Sequence, residues 1–375
     1  MSIRNNARAR ASKPVRQLML LVGVGAVVAA VARSAAAAGW SIQPVPTPAH
    51  SNETGLNAVS CASKRDCVAV GFQDRSVTND PVALVEHWNG STWSIEQTPT
   101  PGAPVRSGWL SAVSCASTSA CVAVGLSYGA DSKPRPLVER WDGSSWSVQR
   151  LPRLGDAEAL DGVSCASSTD CMAVGYGRAL VAAHWNGARW RAQRISFRDR
   201  AGRPNALAGV ACTPGRCVAV GWDNVGLCGA DQSFYSVPIF GSWTEQVWSL
   251  RRQPNLACAS DADSGGHVMN AVSCTSSVAC TAVGSGVSRW DGRRWSIQPA
   301  PIGTDVLGGV SCPATNACTA VGSGIYEWNG RRWSSVRIRF AGELTGVSCP
   351  SRASCVAVGS YIDNGGDHLL VASKG

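Results

Sequence analysis

Leu56-Asn-Ala-Val-Ser-Cys61-Ala-Ser-Lys-Arg-Asp-Cys67-Val-Ala-Val-Gly71, followed after a spacer by Leu84-Val-Glu-His-Trp88-Asn-Gly-Ser-Thr-Trp93-Ser94, sets the architecture of the chain. Alternation and β-branching on both sides of a small polar loop predict a hairpin. The two cysteines stand at its neck, where facing residues of antiparallel strands come close enough for a disulfide. Trp88-Asn-Gly-x-x-Trp93 predicts a second hairpin, because Asn-Gly supplies the positive φ that a tight turn needs.

The unit recurs. Cysteine pairs stand at Cys61/Cys67, Cys115/Cys121, Cys165/Cys171, Cys212/Cys217, Cys274/Cys280, Cys312/Cys318 and Cys349/Cys355. Each follows a short apolar segment and precedes Val-Ala-Val-Gly or a close variant. Tryptophan pairs follow at Trp88/Trp93, Trp141/Trp146, Trp185/Trp190, Trp290/Trp295 and Trp328/Trp333, with a degenerate copy at Trp243/Trp248 that keeps the spacing and loses the glycine. Four strands in a unit of roughly 40–50 residues are the mark of a propeller blade. Seven cysteine hairpins therefore predict an all-β, seven-bladed β-propeller of four-stranded blades over residues 39–375. The last unit ends after a third strand near Leu369 to Ser373, and Trp40-Ser-Ile-Gln-Pro-Val-Pro46 is a near copy of Trp295-Ser-Ile-Gln-Pro-Ala-Pro301. The N-terminal strand is thus expected to complete the last blade and close the ring.

Residues 1–38 read as an export signal: Arg4, Arg8, Arg10, Lys13 and Arg16 precede an apolar run from Leu18 to Ala32, then small residues from Ser34 to Ala38. That run is about 15 residues, short of the ~20 a spanning helix needs, so no transmembrane helix is expected once the signal is cleaved; an uncleaved anchor is the alternative. Without this segment the net charge falls from +9 to +3, with 28 basic against 25 acidic side chains. Nothing in so mild a balance points to nucleic acid, which would call for clustered Lys and Arg on one face, and no nucleic-acid partner is expected. Sixteen cysteines in an exported chain imply disulfides in a secreted, extracellular or cell-surface protein. Zinc would want four ligands at short spacing, and the cysteine pairs have no nearby histidine. In the chain-entropy model a seven-residue loop contributes at most about 2.4 kcal/mol per bridge. Cys228 and Cys258 stand outside the repeat, in two long insertions of the fourth unit. With the first strand lining the channel, both fall on one rim and are expected to pair with each other.

From Trp40 to the C-terminus the chain resembles exported bacterial Cys/Trp-repeat propellers, and more loosely those of the kelch, sialidase and galactose-oxidase types. The resemblance implies the propeller and carries no mechanism. Kelch blades bear a double glycine where Gly71, Gly125 and Gly175 stand alone, and sialidase blades space Asp and Gly that are adjacent in Asp142-Gly143. No copper constellation of paired Tyr and His is present, so no catalytic residue is carried over.

Candidate binding residues lie in what the repeat leaves variable. From the glycine after the second strand to the next tryptophan the chain runs 17 residues in unit one (Gly71 to Trp88), 22 in unit four (Gly221 to Trp243) and 6 in units five and six. One side of the rim is therefore tall. The residue after that glycine changes in step, being Phe72, Leu126, Tyr176 and Trp222 and then Ser285, Ser323 and Ser360. Phe72, Tyr176 and Trp222, with Asp223, would form an arc at one mouth of the channel suited to stacking on a sugar or gripping a peptide; packing between blades is the other use of these positions. The recurring tryptophans fill one structural slot per blade. His87 and His184 share a position with Arg140, Arg289 and Glu327, which reads as solvated. No cofactor is implied. Calcium is the one metal to weigh, at Asp261/Asp263 or Asp363/Asp367, where turn chemistry is the alternative reading. These features favour a monomeric, non-enzymatic binder of carbohydrate or cell-envelope polymer. A glycan hydrolase or lyase using Asp223, Asp231, Asp261 or Asp263, and a scaffold for protein partners, are the alternatives.

Overall fold

Hydrogen-bonded pairing sorts the strands into seven four-stranded antiparallel sheets. The computed structural model describes residues 39–48, 53–74, 80–99, 107–197, 205–228, 233–253, 267–303, 305–363 and 366–375. After β1 (Ser41–Ile42), blade 1 holds β2 (Thr54–Ser63), β3 (Asp66–Asp74), β4 (Pro81–Trp88) and β5 (Trp93–Glu96). Blade 2 is β6 (Ser107–Ser117), β7 (Ala120–Tyr128), β8 (Pro134–Trp141) and β9 (Trp146–Val148). Blade 3 is β10 (Ala157–Ser167), β11 (Asp170–Gly177), β12 (Val181–Trp185) and β13 (Trp190–Ala192). Blade 4 is β14 (Asn205–Thr213), β15 (Arg216–Cys228), β16 (Ser233–Thr244) and β17 (Val247–Arg252). Blade 5 is β18 (Met269–Ser276), β19 (Ala279–Gly284), β20 (Val287–Trp290) and β21 (Trp295–Gln298). Blade 6 is β22 (Gly309–Ala314), β23 (Ala317–Val321), β24 (Ile325–Trp328) and β25 (Trp333–Ser335). Blade 7 is β26 (Glu343–Ser351), β27 (Ser354–Asp363) and β28 (Gly366–Lys374), completed by β1.

The seven first strands touch in sequence, β2 to β6 and so on to β26, which returns to β2. They form the inner ring, and the chain is a closed seven-bladed β-propeller. Each gap between blades is filled by its own apolar cluster. Between blades 1 and 2, for example, Val68, Val70 and Val85 meet Leu110, Val113 and Leu137.

A bulge in the first strand explains the glycine after the second. In blade 2 the register slips between Leu110 and Ala112, and the slip recurs at the same place in blades 1, 3, 4, 5 and 7. It pushes a carbonyl of the first strand against the second strand. A Cβ on Gly125 would sit 2.0 Å from the Trp109 carbonyl oxygen, so only glycine fits there. The residue inside the bulge fastens neighbouring blades: Asn57 Nδ2 donates to Leu110 O at 2.8 Å, Asn270 Nδ2 to Leu307 O at 3.0 Å and Thr345 Oγ1 to Leu56 O at 2.6 Å.

The seven repeat cysteine pairs, Cys61–Cys67, Cys115–Cys121, Cys165–Cys171, Cys212–Cys217, Cys274–Cys280, Cys312–Cys318 and Cys349–Cys355, are disulfides with Cα separations of 3.9–4.0 Å. One point corrects their reading as staples at hairpin necks alone. The second member of each pair, at Cys67, Cys121, Cys171, Cys217, Cys280, Cys318 and Cys355, is buried. Each of these seven belongs to the apolar cluster of an inter-blade gap. The cause is their place on the second strand, which is flanked by strands on both edges and covered by a neighbouring blade. A disulfide sulfur is apolar enough to pack there, so the bridges are core as well as cross-link. The expected Cys228–Cys258 bridge, and residues 1–38, lie outside the described residues.

A second seam runs beside the cysteines. The N–H of each first cysteine donates to the serine hydroxyl before the preceding blade's first cysteine, as Cys115 does to Ser60 at 2.9 Å and Cys212 to Ser164 at 2.9 Å. Cys61, Cys165, Cys312 and Cys349 do likewise. The seam breaks at Cys274, because blade 4 has Ala211 where the others have serine.

The two tryptophans of each outer hairpin face each other across a non-slipped pair, with ring centroids 5.7 Å apart for Trp88 and Trp93. Positive φ at Gly90, Gly143, Gly187, Gly292 and Gly330 makes the turn. In blade 4, where the glycine is lost, Glu245 and Gln246 adopt φ of 50° and 66° in its place. In blades 2, 3, 5 and 6 the position before the first tryptophan is a contact between blades rather than a solvated site, while His87 of blade 1 meets Asp66 and Glu96 of its own blade. Arg140 lies over Trp185 at 5.1 Å, the His184 ring is 5.0 Å from Trp243, and Arg289 lies over Trp328 at 4.7 Å. Arg, His and Glu share this slot because each suits what the next blade presents: Glu327 meets Lys374, which stands where other blades have tryptophan.

Candidate functional site at the mouth of the channel

First strands begin and second strands end at the same end of the ring, away from the disulfides, and there the residues that follow the bulge-facing glycine gather. Phe72 pairs across with Gly55 and Ala83, and its ring lies over Gly55, whose missing side chain makes room. Tyr176 pairs with Ala159. Trp222 pairs with Ala206 and Pro238. All three are half-buried, whereas Leu126 of blade 2 is buried. Phe72, Tyr176 and Trp222 thus stand at equivalent register positions of blades 1, 3 and 4, with Leu126 at the same level in blade 2.

Asp223 stands apart from the arc. It is fully buried, and its carboxylate takes the Arg252 Nε–H. The Arg252 guanidinium in turn lies 4.5 Å from the centre of the Phe197 ring. Of the other acids considered from sequence, Asp231, Asp261 and Asp263 lie outside the described residues. Asp363 pairs with His368 at 2.8 Å. Among the described residues no three His, Cys, Asp or Glu side chains are grouped to hold a metal.

Between blades 2 and 3 the mouth carries a denser group than the sequence indicated. Trp109 and Tyr128 of blade 2 have ring centroids 6.1 Å apart. Burial raises the Tyr176 hydroxyl above its ordinary value, and the charges of Asp161 and Glu158, with Tyr128, push it further in the same direction. These four side chains therefore share one electrostatic neighbourhood. Asp161 is the extra residue of the blade 3 bulge, between Leu160 and Gly162. Burial pushes its carboxyl up to about 6. In blades 1 and 5 the same slot holds an amide that donates to the next blade, a bond that an ionised carboxylate cannot make. Aligning Asn57, Ser111, Asp161 and Asn270 would have picked out this slot from sequence. Nothing local marks Trp109 and Tyr128, which stand one strand apart.

Three aromatic rings and two acids at one rim can take the flat face of a sugar ring and accept hydrogen bonds from its hydroxyls. No helix among the described residues is long and apolar enough to cross a membrane. No family model and no curated protein matches the chain. Among solved structures it is similar to YCF48 bound to a D1 peptide, at 12% identity over 89% of this chain and 96% of that one, with a TM-score of 0.57. It is also similar to YCF48 from Cyanidioschyzon merolae, at 13% identity over 90% of this chain and 99% of that one, with a TM-score of 0.55. At such identities the likeness shows the fold: this chain is a β-propeller of the same overall plan along nearly its whole length.

Proposed function

We propose that the protein is an exported, non-enzymatic binding propeller that holds a carbohydrate or cell-envelope polymer at the mouth between blades 2 and 3. The observation that carries this reading is the aromatic rim, the Trp109–Tyr128 ring pair of blade 2 with Tyr176 of blade 3, whose hydroxyl feels the charges of Asp161 and Glu158. Seven disulfides support an oxidising compartment, in keeping with the arginine-led apolar segment at residues 1–38. Screening on a glycan array, followed by Trp109→Ala and Tyr176→Ala, tests it. Both variants are expected to lose the array hits by about tenfold or more, since stacked rings contribute about 0.5–1.5 kcal/mol each beyond the area they cover, and to keep the wild-type Tm. Loss of binding only together with loss of fold would assign these rings to packing between blades.

One observation favours a second reading. Asp161, whose carboxyl burial pushes up to about 6, keeps its proton closer to neutrality as a general acid must, and a glycan hydrolase or lyase would pair it with Glu158. Release of reducing or unsaturated ends from the array hits, abolished by Asp161→Asn, would carry that reading. A peptide ligand is the third, since YCF48, of similar fold, has been solved with one.

A further inference from the structure

The outer seam between blades 4 and 5 departs in two independent ways from those between blades 2 and 3, 3 and 4, 5 and 6, and 6 and 7. In blades 2, 3 and 5 the residue before the first tryptophan reaches across and covers the next blade's first tryptophan, and Glu327 of blade 6 does the same to Lys374. Blade 4 has Ser242 in that slot, too short to reach Trp290. In neighbouring seams an apolar residue beyond the outer strand plugs the gap: Leu151 between blades 2 and 3, Ile195 between 3 and 4, Ile302 between 5 and 6, Ile338 between 6 and 7. After Leu250 the chain instead reads Arg251-Arg252-Gln253. With neither cover nor plug among the described residues, a groove of about 530 Å³ opens over Trp290 and Trp295. That volume lies within the ordinary range of ligand sites.

Its floor is aromatic. Phe240 stacks on Trp295 at 4.4 Å, and both Trp290 and Trp295 are only half-buried. Its walls are cationic. Arg216 comes from the cysteine turn of blade 4, Arg251 from β17, and Arg293 and Arg294 from the tryptophan turn of blade 5. None of these four side chains has an ion-pair or hydrogen-bond partner among the described residues, and Arg216 Nε is buried without one. The fifth arginine, Arg252, is already paired with Asp223. Asp291, the adjacent acid, is held by the backbone N–H groups of Arg293 and Arg294 at 2.8 Å each. Four guanidinium groups around one groove, free of hydrogen bonds and close ion pairs among the described residues though Arg294 feels the charge of Asp291, form a local field that draws anionic groups and can grip carboxylates two bonds at a time.

We infer that this groove is a binding site for an acidic polysaccharide, whose sugar rings lie on Trp290 and Trp295 while its carboxylates pair with Arg216, Arg251, Arg293 and Arg294. A sugar polymer fits better than an acidic peptide. The floor lies over the faces of the sheets: Val218, Phe240 and Trp290 stand on β15, β16 and β20, each already paired on both edges, so no free edge is offered there for a peptide to extend the sheet. The groove reaches the cysteine and tryptophan turns, at the opposite end of the blade from the mouth, and the inference stands independently of the ligand proposed there.

The test is calorimetric titration of the disulfide-bonded protein with polygalacturonate at low salt, with neutral dextran and poly-glutamate as comparators. Polygalacturonate should bind, dextran should not, and poly-glutamate should bind at least tenfold more weakly. Arg293→Ser with Arg294→Ser should weaken binding by about tenfold or more, as expected for lost charge-assisted hydrogen bonds. The same pair removed from the equivalent turn of blade 6, Arg331→Ser with Arg332→Ser, should leave it unchanged. Ser242→Arg installs the cover that blades 2 and 5 already use, and should abolish binding at an unchanged Tm. Absence of polygalacturonate binding, equal binding of poly-glutamate, or an equal loss in the blade 6 variant would each overturn the inference.

Discussion

Glu86 and Glu139 are fully buried, and neither carboxyl has a hydrogen-bond partner among the described residues. They occupy one slot, opposite the central alanine of the second strand (Ala69 and Ala123), where blades 3 and 7 place Ala183 and Ala372. Water-free surroundings disfavour the charged form, so burial pushes both carboxyls up to about 8. The unfolded chain releases these protons near 4.5 while the folded chain keeps them to about 8. Between those limits the folded state binds more protons, and stability must fall as pH rises, by about 1.4 kcal/mol per pH unit for each carboxyl. Above about 8 the dependence ends. Asp161, raised to about 6, adds to the fall over the lower part of that window. Melting curves from pH 5 to 9 should therefore show a Tm that declines towards 8, and Glu86→Gln combined with Glu139→Gln should flatten most of the slope. A wild-type Tm independent of pH across this range would mean that these carboxyls find partners the structure does not show.

At the scale of the blade, the inner seam offers a clean test because the chain contains its own control. Six first cysteines donate to a serine hydroxyl of the preceding blade, and Cys274 has only Ala211 opposite. Ala211→Ser should add the missing bond and stabilise the protein by about 0.5–1.5 kcal/mol, the usual net worth of one hydrogen bond, while Ser164→Ala should cost a similar amount. Chemical denaturation of both variants decides it, and equal midpoints for wild type and Ala211→Ser would show that the serines only fill space. The seam also shows how much of a blade can be read from its residues. The cysteine neck, the tryptophan turn and the strand count are local, and periodicity alone places them. That Cys121 or Cys171 is also a core residue is not local, because the cluster each joins includes side chains of a neighbouring blade. The purpose of the glycine after the second strand is equally hidden, since it depends on a bulge in the facing strand that brings the Trp109 carbonyl to 2.0 Å of where a Cβ would stand on Gly125. For the same reason His184, Arg140, Arg289 and Glu327 look solvated in sequence: the ring or ammonium each meets belongs to the next blade, some 40 to 50 residues on. The rim residues Phe72, Tyr176 and Trp222 are readable as a column because they follow a repeated glycine, but Trp109 and Tyr128 become neighbours of Tyr176 only when blades 2 and 3 are set side by side.

The whole ring depends on how its last blade is completed. β28 would be an open edge without β1, and it carries Leu369, Leu370, Val371 and Ala372, all buried. Only two residue pairs join the strands, Ser41 with Ser373 and Ile42 with Ala372, so backbone pairing alone is a weak clasp. Side chains on either side make the difference. Trp40 Nε1 donates to Glu327 Oε1 at 3.0 Å, and Lys374 Nζ reaches the same oxygen at 2.9 Å, so one carboxylate of blade 6 holds both ends of the chain. Trp40 packs into the core between blades 6 and 7, and Val45 into the core between blades 7 and 1. The N-terminal segment thus plugs two gaps as well as capping an edge, and its loss should not be confined to one blade. Glu327→Ala, which removes both bonds but leaves the plugs, should cost about 1–2 kcal/mol. Deleting Gly39 to Pro46 should do far more. It uncovers a hydrophobic strand with unpaired backbone groups, the situation that drives edge-to-edge association, and the variant should melt well below wild type and appear as oligomers in light scattering. A deletion variant that stays monomeric at the wild-type Tm would show that the ring is closed by the contact between β2 and β26 alone, and that the N-terminal strand is an ornament to a circle already complete.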